Sequence, residues 1–258
     1  MELTQQRILA LMPHPDDIEI LCAGTLIRLI RAGCEVHVAT MTAGDKGSDV
    51  LSRKEIADIR REEARLGAEV LGAASYTCLE FSDLEIVFDN ASRRRVTGLM
   101  RRIAPDVVFT TPPVDYMFDH EITSKLVRDA CFNAGCRNYD TEGADGLEPL
   151  TSVPALFYSD PVSGHDLFGV ATPVHCVVDI QSTLEKKIEA LCCHDSQRAW
   201  LKRQHGMDDY VHSVRDWSAR RGALIGSPAA EAFRQHLGHP HPAANILCEL
   251  LGATVLSE

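Results

Sequence analysis

The sequence predicts an α/β fold on a mainly parallel sheet, and three observations carry that expectation. Short apolar, β-branched runs alternate with helical patterns through the first half of the chain. The connections between them are short. The first apolar run ends directly in a polar turn, Met12-Pro13-His14-Pro15-Asp16-Asp17-Ile18-Glu19, from which a helical pattern leads out. Alternation of this kind implies βαβ units with right-handed crossovers and three layers, helices on both faces of the sheet.

The elements follow in order. Arg7 to Leu11 reads as a strand and Ile18 to Ala32 as one helix ended by Gly33. Glu35 to Met41 is a second, β-branched strand, followed by the polar loop Thr42 to Ser48. Arg53 to Leu71 is strongly helical and closes at Gly72; Tyr76 to Glu80 is a short strand. Ser92 to Ile103 reads as a helix whose Arg93, Arg94, Arg95, Arg101 and Arg102 form a solvated face. Val107 to Thr110 is a fourth strand bounded by Pro105 and Pro112-Pro113, and about His120 to Ala134 a further helix. Cys136 to Thr151 is loop-like. Ala155 to Tyr158 and Val174 to Ile180 read as strands, with a rim loop from Ser159 to Pro173 between them, and Ser182 to Leu191 as a helix. The architecture is Rossmann-like, but the dinucleotide fingerprint is missing. The first glycine after the first strand is Gly24, well inside the helix and not at the turn.

The chain has 258 residues, 45% of them hydrophobic and 24% charged, enough for a sizeable core. It is read as a single domain, 1–258, with 207–258 as a C-terminal appendage. The net charge of −11 argues against a general nucleic-acid binder, which would show a basic face. No secretory signal is visible in Met1 to Gln6, and no run approaches the length that spans a bilayer. The nine cysteines are odd in number and include no C-x-x-C pair, which reads as reduced thiols in a cytoplasmic protein. Cys192-Cys193-His194 suggests a soft-metal site only weakly, because adjacent cysteines chelate one ion poorly. His236-Leu237-Gly238-His239-Pro240-His241 carries metal-friendly side chains in a surface loop.

Open parallel sheets hold ligands at the carboxyl ends of their strands. The turn after the first strand puts His14, Asp16 and Asp17 there, and Pro15 stiffens it. The loop after the fourth strand, Val114-Asp115-Tyr116-Met117-Phe118-Asp119-His120-Glu121, opens at the same edge. Two loops can therefore bring His14, Asp17 and His120 to one divalent metal ion, with Asp16 outside the coordination shell. Two imidazoles and a carboxylate leave a position open for water, the composition of a catalytic zinc site. The plainer alternative stays open on residues alone: either aspartate as a helix N-cap, and both histidines at helix starts or in loops.

The chain resembles the zinc-dependent de-N-acetylases of the PIG-L/LmbE-like family. The resemblance rests on Pro13-His14-Pro15-Asp16-Asp17 and on Asp119-His120. Supporting marks are Arg60-x-Glu62-Glu63, Leu71-Gly72, Val178-Asp179-Ile180, Lys187, His194-x-Ser196-Gln197 and Glu231-x-Phe233. It spans about residues 7 to 235 and implies one Rossmann-like deacetylase domain that hydrolyses an acetamido group on an N-acetylglucosamine-type sugar or conjugate. It further implies zinc, or another divalent ion such as Fe2+, on His14, Asp17 and His120, with Asp16 as general base. Zinc would lower the pKa of its water towards about 7 and polarise the amide, and Asp16 would take the water's proton and pass it to the amine.

One departure stands out. Many relatives carry His-Pro-Asp-His in the second motif, and its first histidine helps to stabilise the oxyanion. Here Met117 replaces it, so Asp119, which would orient that histidine, is expected to have lost its partner. His194, or else Tyr116, is the expected substitute. Arg60, Tyr116 and Asp115 are candidates for substrate contacts. Family members form trimers or hexamers, so a homo-oligomer is an open expectation. The alternatives are a zinc amidohydrolase with a non-sugar substrate, and a catalytically altered sugar-binding protein.

Overall fold

The computed structural model describes residues 5–144, 146–205 and 210–256. Their strands form one sheet of eight: β1 (Arg7–Met12), β2 (Glu35–Thr42), β3 (Ser75–Phe81), β4 (Val107–Thr110), β5 (Ala155–Ser159), β6 (Cys176–Asp179), β7 (Ala230–Gln235) and β8 (Thr254–Val255). The order across the sheet is β3-β2-β1-β4-β5-β7-β6-β8. The first five are parallel to one another; β7 pairs antiparallel with β5 and β6, and β8 antiparallel with β6. The sheet is therefore mainly parallel, as expected. Residues of the expected appendage supply β7, which lies inside the sheet.

Successive side chains of a strand face opposite sides. In β1, Ile8, Ala10 and Met12 enter one core while Leu9 and Leu11 enter the other, all fully buried. This is why the central strands read as continuous apolar runs. The first core is covered by α1 (Asp17–Leu21), α2 (Ala23–Arg31), α3 (Arg53–Leu71), α6 (Leu184–Leu191) and α9 (Ile246–Leu251). The second lies under α4 (Asn90–Ile103) and α5 (Phe118–Asn133). α7 (Asp195–His205) and α8 (Tyr210–Ala223) stand beside α3 and α6. Among the described residues no helix is long and apolar enough to cross a membrane. All nine cysteines are free thiols.

Four expectations need correction. The helix expected over 18–32 is two helices, broken at Cys22, whose φ of −146° is not helical. The break is stable because a buried ion pair serves the backbone groups that it opens. The Glu231 carboxylate accepts the amide hydrogens of Gly24 and Thr25 at 2.9 and 2.7 Å. The Lys187 ammonium donates to the Ile20 carbonyl at 2.9 Å and to Glu231 at 2.7 Å. Second, Arg101 leaves the solvated face: it is buried and donates to the carbonyls of Ala134 and Cys136, pinning α4 to the end of α5. Third, α5 begins at Phe118, two residues before the expected start at His120, so Asp119 lies in its first turn and not ahead of it. Fourth, β6 is shorter than the run over 174–180 that its apolar residues suggest.

Candidate functional site

The strand order reverses at β1: β2 and β3 lie on one side of it and β4 on the other. Loops leaving the carboxyl ends of β1 and β4 diverge there and leave a crevice, the usual ligand position in open α/β sheets. One loop runs from Pro13 into α1 and the other from Thr111 into α5. A cavity of about 710 Å³ opens over them.

The two loops bring His14, Asp17 and His120 together, with one ligand atom of each within 4.8 Å of the others. Nδ1 of His14 lies 3.3 Å, and Nε2 of His120 3.7 Å, from Oδ2 of Asp17. The backbone amide of His14 donates to the same oxygen at 2.9 Å. The far nitrogen of each ring meets a carboxylate. His14 Nε2 lies 3.2 Å from Asp119 and 3.1 Å from Asp83, and His120 Nδ1 lies 3.2 Å from Asp115. A carboxylate behind a ligating imidazole orients it and raises its basicity; Asp119 does so for His14 through a hydrogen bond, and Asp115 faces His120 at ion-pair distance. This donor set fits a divalent ion bound by nitrogen and oxygen.

The electrostatics agree. Burial alone would lower the pKa of His14, but hydrogen bonds to Asp119, Asp17 and Asp83 outweigh it and raise the value well above 6.5. His120 is raised in the same way, by Asp17 and Asp115 against burial. Burial would raise Asp17, but His120 and His14 hold its carboxyl below the usual aspartate range. A cluster that attracts protons so strongly also attracts a cation.

Asp16 points elsewhere. It is buried, with a left-handed backbone at φ 92°, a conformation that costs a non-glycine residue energy. Its Oδ2 accepts a hydrogen bond from the Tyr210 hydroxyl at 2.5 Å. Burial, with the neighbouring Asp17 charge, pushes its carboxyl up to about 6; His194, Tyr210 and Arg60 oppose the shift. Of the residues expected at the site, Asp16, Asp17, His14, His120, Arg60 and Tyr116 line the cavity.

The other three do not. Asp119, without a histidine at position 117 to orient, meets the first motif instead: it is buried, with Oδ2 3.2 Å from His14 Nε2 and accepting the Leu84 amide at 2.7 Å. Asp115 is buried against His120, turned from the cavity where a substrate contact would need it. His194 is buried with Nε2 3.3 Å from Glu19 Oε2, behind Asp16 and off the cavity wall. Its position is set by α7, whose Ser196 donates to Glu63 from both backbone amide and hydroxyl. That contact joins two of the sequence marks, Glu63 and Ser196. In the loop from His236 to His241 two imidazoles meet edge to face, centroids 4.4 Å apart, but among the described residues no third ligand joins them, and no cysteine belongs to a metal-ligating group.

Arg60 is a buried charge with donors to spare. Its Nη1 donates to the Gly44 carbonyl at 3.4 Å, while among the described residues Nε and Nη2 have no hydrogen-bond partner. Gly44 and Gly47 make room for it: a Cβ at either would come within 2.5 Å of Nη1. Its unpartnered N–H groups suit hydroxyl or anionic oxygens of a ligand.

Sequence reasoning missed several cavity residues: Asp83, Lys46, Trp200, Tyr210 and Trp217. Asp83 follows β3 at the same sheet edge, so the strand-end argument applied to the third strand would have found it. Tyr210 and Trp217 lie on a helix whose apolar residues form only a weak stripe, and no local signal marks them.

Residues 9–131 match the family described as PIG-L, GlcNAc-PI de-N-acetylase. The diacetylchitobiose deacetylase of Thermococcus kodakarensis is 28% identical over 198 residues, covering 74% of this chain and 70% of that protein. The 4-oxalmesaconate hydratase of Pseudomonas putida is 25% identical over 205 residues, covering 76% of each. Among solved structures, N,N'-diacetylchitobiose deacetylase from Pyrococcus horikoshii, complexed with its inhibitor MPG, matches with a TM-score of 0.78 and 27% identity, covering 93% of this chain and 88% of that one.

Proposed function

The chain carries a PIG-L-family domain across residues 9–131, and from that premise we propose that it is a metal-dependent hydrolase removing the N-acetyl group of an N-acetylglucosamine-type sugar or conjugate. The observation that carries the reading is the convergence of His14, Asp17 and His120 on the cavity floor, with Asp16 beside them and turned to a different partner. The N-deacetylase class rests on the family and on its deacetylase relatives.

In this reading His14, Asp17 and His120 hold the ion, zinc or another divalent metal. Asp119, Asp83 and Asp115 orient the two imidazoles from behind. A divalent ion held there would supply Lewis acidity to the reaction. Asp16 takes the proton of the attacking water and returns it to the departing amine. His194, whose pKa Glu19 and Asp16 raise against the effect of burial, opposes in its protonated form the tendency of burial to neutralise Asp16. That role replaces the expected one, because His194 does not reach the cavity. Met117 lines the wall but has no N–H to give, so Tyr116, also on the wall, is the nearer candidate donor to the developing oxyanion. Arg60 meets sugar hydroxyls or an anionic substituent. Trp200 and Trp217 give apolar faces on which a ring can lie.

Metal-replete protein incubated with N-acetylglucosamine, N,N'-diacetylchitobiose and related conjugates should release acetate and free amine in equal amounts. Absence of both products across the panel contradicts the reading. The hydratase relative favours one second reading, in which the same site adds water to a carbon–carbon double bond. Loss of the conjugated-diene absorbance of an unsaturated dicarboxylate, with no acetate from any sugar, would support it.

A further inference from the structure

We propose that Tyr210 is a positioning residue for the reaction, holding the Asp16 carboxylate through its phenolic hydroxyl so that one oxygen is fixed and the other is free to accept a proton. The proposal rests on the hydrolase reading above.

Three observations support it. First, the hydroxyl donates to Asp16 Oδ2 at 2.5 Å across 194 residues of sequence, and both side chains line the cavity. A tyrosine needed only for packing would have no reason to end on a buried carboxylate that the histidine pair leaves unused. Second, the backbone leaves Asp16 in need of an outside anchor. Its left-handed φ turns its side chain away from Asp17, and it makes no cap hydrogen bond to α1. Third, α8 delivers Tyr210 from a rigid base. Val214 packs with Ile188 and Leu191 of α6, and Tyr210 leans on that cluster. Arg215 forms a two-pronged ion pair with Glu185, at 2.6 and 2.7 Å. Further along the helix, Arg221 pairs with buried Asp160. A hydrogen bond from a fixed donor holds a catalytic carboxylate in one rotamer, which is how supporting residues contribute to rate.

Tyr210→Phe removes only the hydroxyl. In metal-replete full-length protein acting on N,N'-diacetylchitobiose, kcat should fall about 10- to 100-fold, the scale of a supporting contact. KM should stay within about twofold, as for an interaction with no ground-state binding role, and metal content should equal that of the wild type. An unchanged kcat overturns the proposal. So does a rise in KM alone, which would make Tyr210 a substrate contact, or a fall in kcat accompanied by loss of metal. A second readout needs no turnover. Proton NMR of the wild type should show a hydroxyl resonance downfield of the amides that disappears in both Tyr210→Phe and Asp16→Asn. If the wild type turns over no acetamido sugar, the hydrolase reading fails while this resonance still decides the contact: its presence supports the Tyr210–Asp16 pairing and its absence overturns it.

Discussion

Nε2 of His14 stands 3.2 Å from a carboxylate oxygen of Asp119, the residue immediately before the second histidine of the cluster. The second motif therefore serves both imidazoles: His120 joins His14 and Asp17 directly, and Asp119 supports His14 from behind. Asp119→Ala should weaken divalent-metal affinity about 10- to 100-fold, as removal of a carboxylate behind a ligating histidine does. Chelator competition measures this; an affinity equal to that of the wild type would mean that Asp83 alone holds the ring.

Asp16→Asn should bind metal like the wild type and lose about 100-fold or more in kcat, because it removes a proton acceptor and not a ligand. Metal analysis alongside steady-state kinetics separates the two. Loss of metal in this variant would mean that the division between Asp16 and Asp17 is wrong.

Metal binding should be strongly pH-dependent. In the metal-free protein the surrounding carboxylates raise the pKa of both His14 and His120 above the ordinary histidine value, against burial, and so favour their protonated forms. An ion must displace those protons, so apparent affinity rises with pH and each imidazole releases its proton on binding. For the metal-free fold the sign is opposite. Raised histidine pKa values contribute stability that is fully present below about 6.5 and lost as pH rises through the folded-state values. Calorimetry in buffers of different ionisation enthalpy reads the proton release. Thermal melts of chelated protein should show a Tm that falls from mildly acidic to mildly alkaline pH; a rising Tm would contradict the assignment.

The buried Lys187–Glu231 pair serves the break at Cys22 and should be expensive to halve. Lys187→Met leaves Glu231 charged and buried and the Ile20 carbonyl unmet, a loss of about 3–5 kcal/mol. Urea unfolding measures it; a change within about 0.5 kcal/mol would show that the pair is not needed.

How much of this was legible in the sequence follows from the range of the forces involved. β1, β2, β4 and α3 lie within a residue of where their apolar periodicity put them, because burial on a parallel sheet writes that pattern directly. The strand-end argument brought His14, Asp17 and His120 together across a hundred residues. β7 was not seen as a strand, since Ala230–Gln235 holds a buried charge and a glutamine where a strand would show β-branched residues. The helix break at Cys22 was hidden because its cause, Glu231 and Lys187, lies some two hundred residues downstream. Asp115 reads from its polarity as a substrate-side group, and Asp119 as the support of a histidine that position 117 lacks. Only geometry distinguishes a carboxylate facing a cavity from one behind a histidine.

The central claim is that one divalent ion is shared by His14, Asp17 and His120, and metal stoichiometry across variants tests it most directly. Equilibrium dialysis should find one zinc ion per chain in the wild type and in Asp16→Asn, and little in His14→Ala or His120→Ala. Zinc bound equally well by His120→Ala, or lost only from Asp16→Asn, would contradict it.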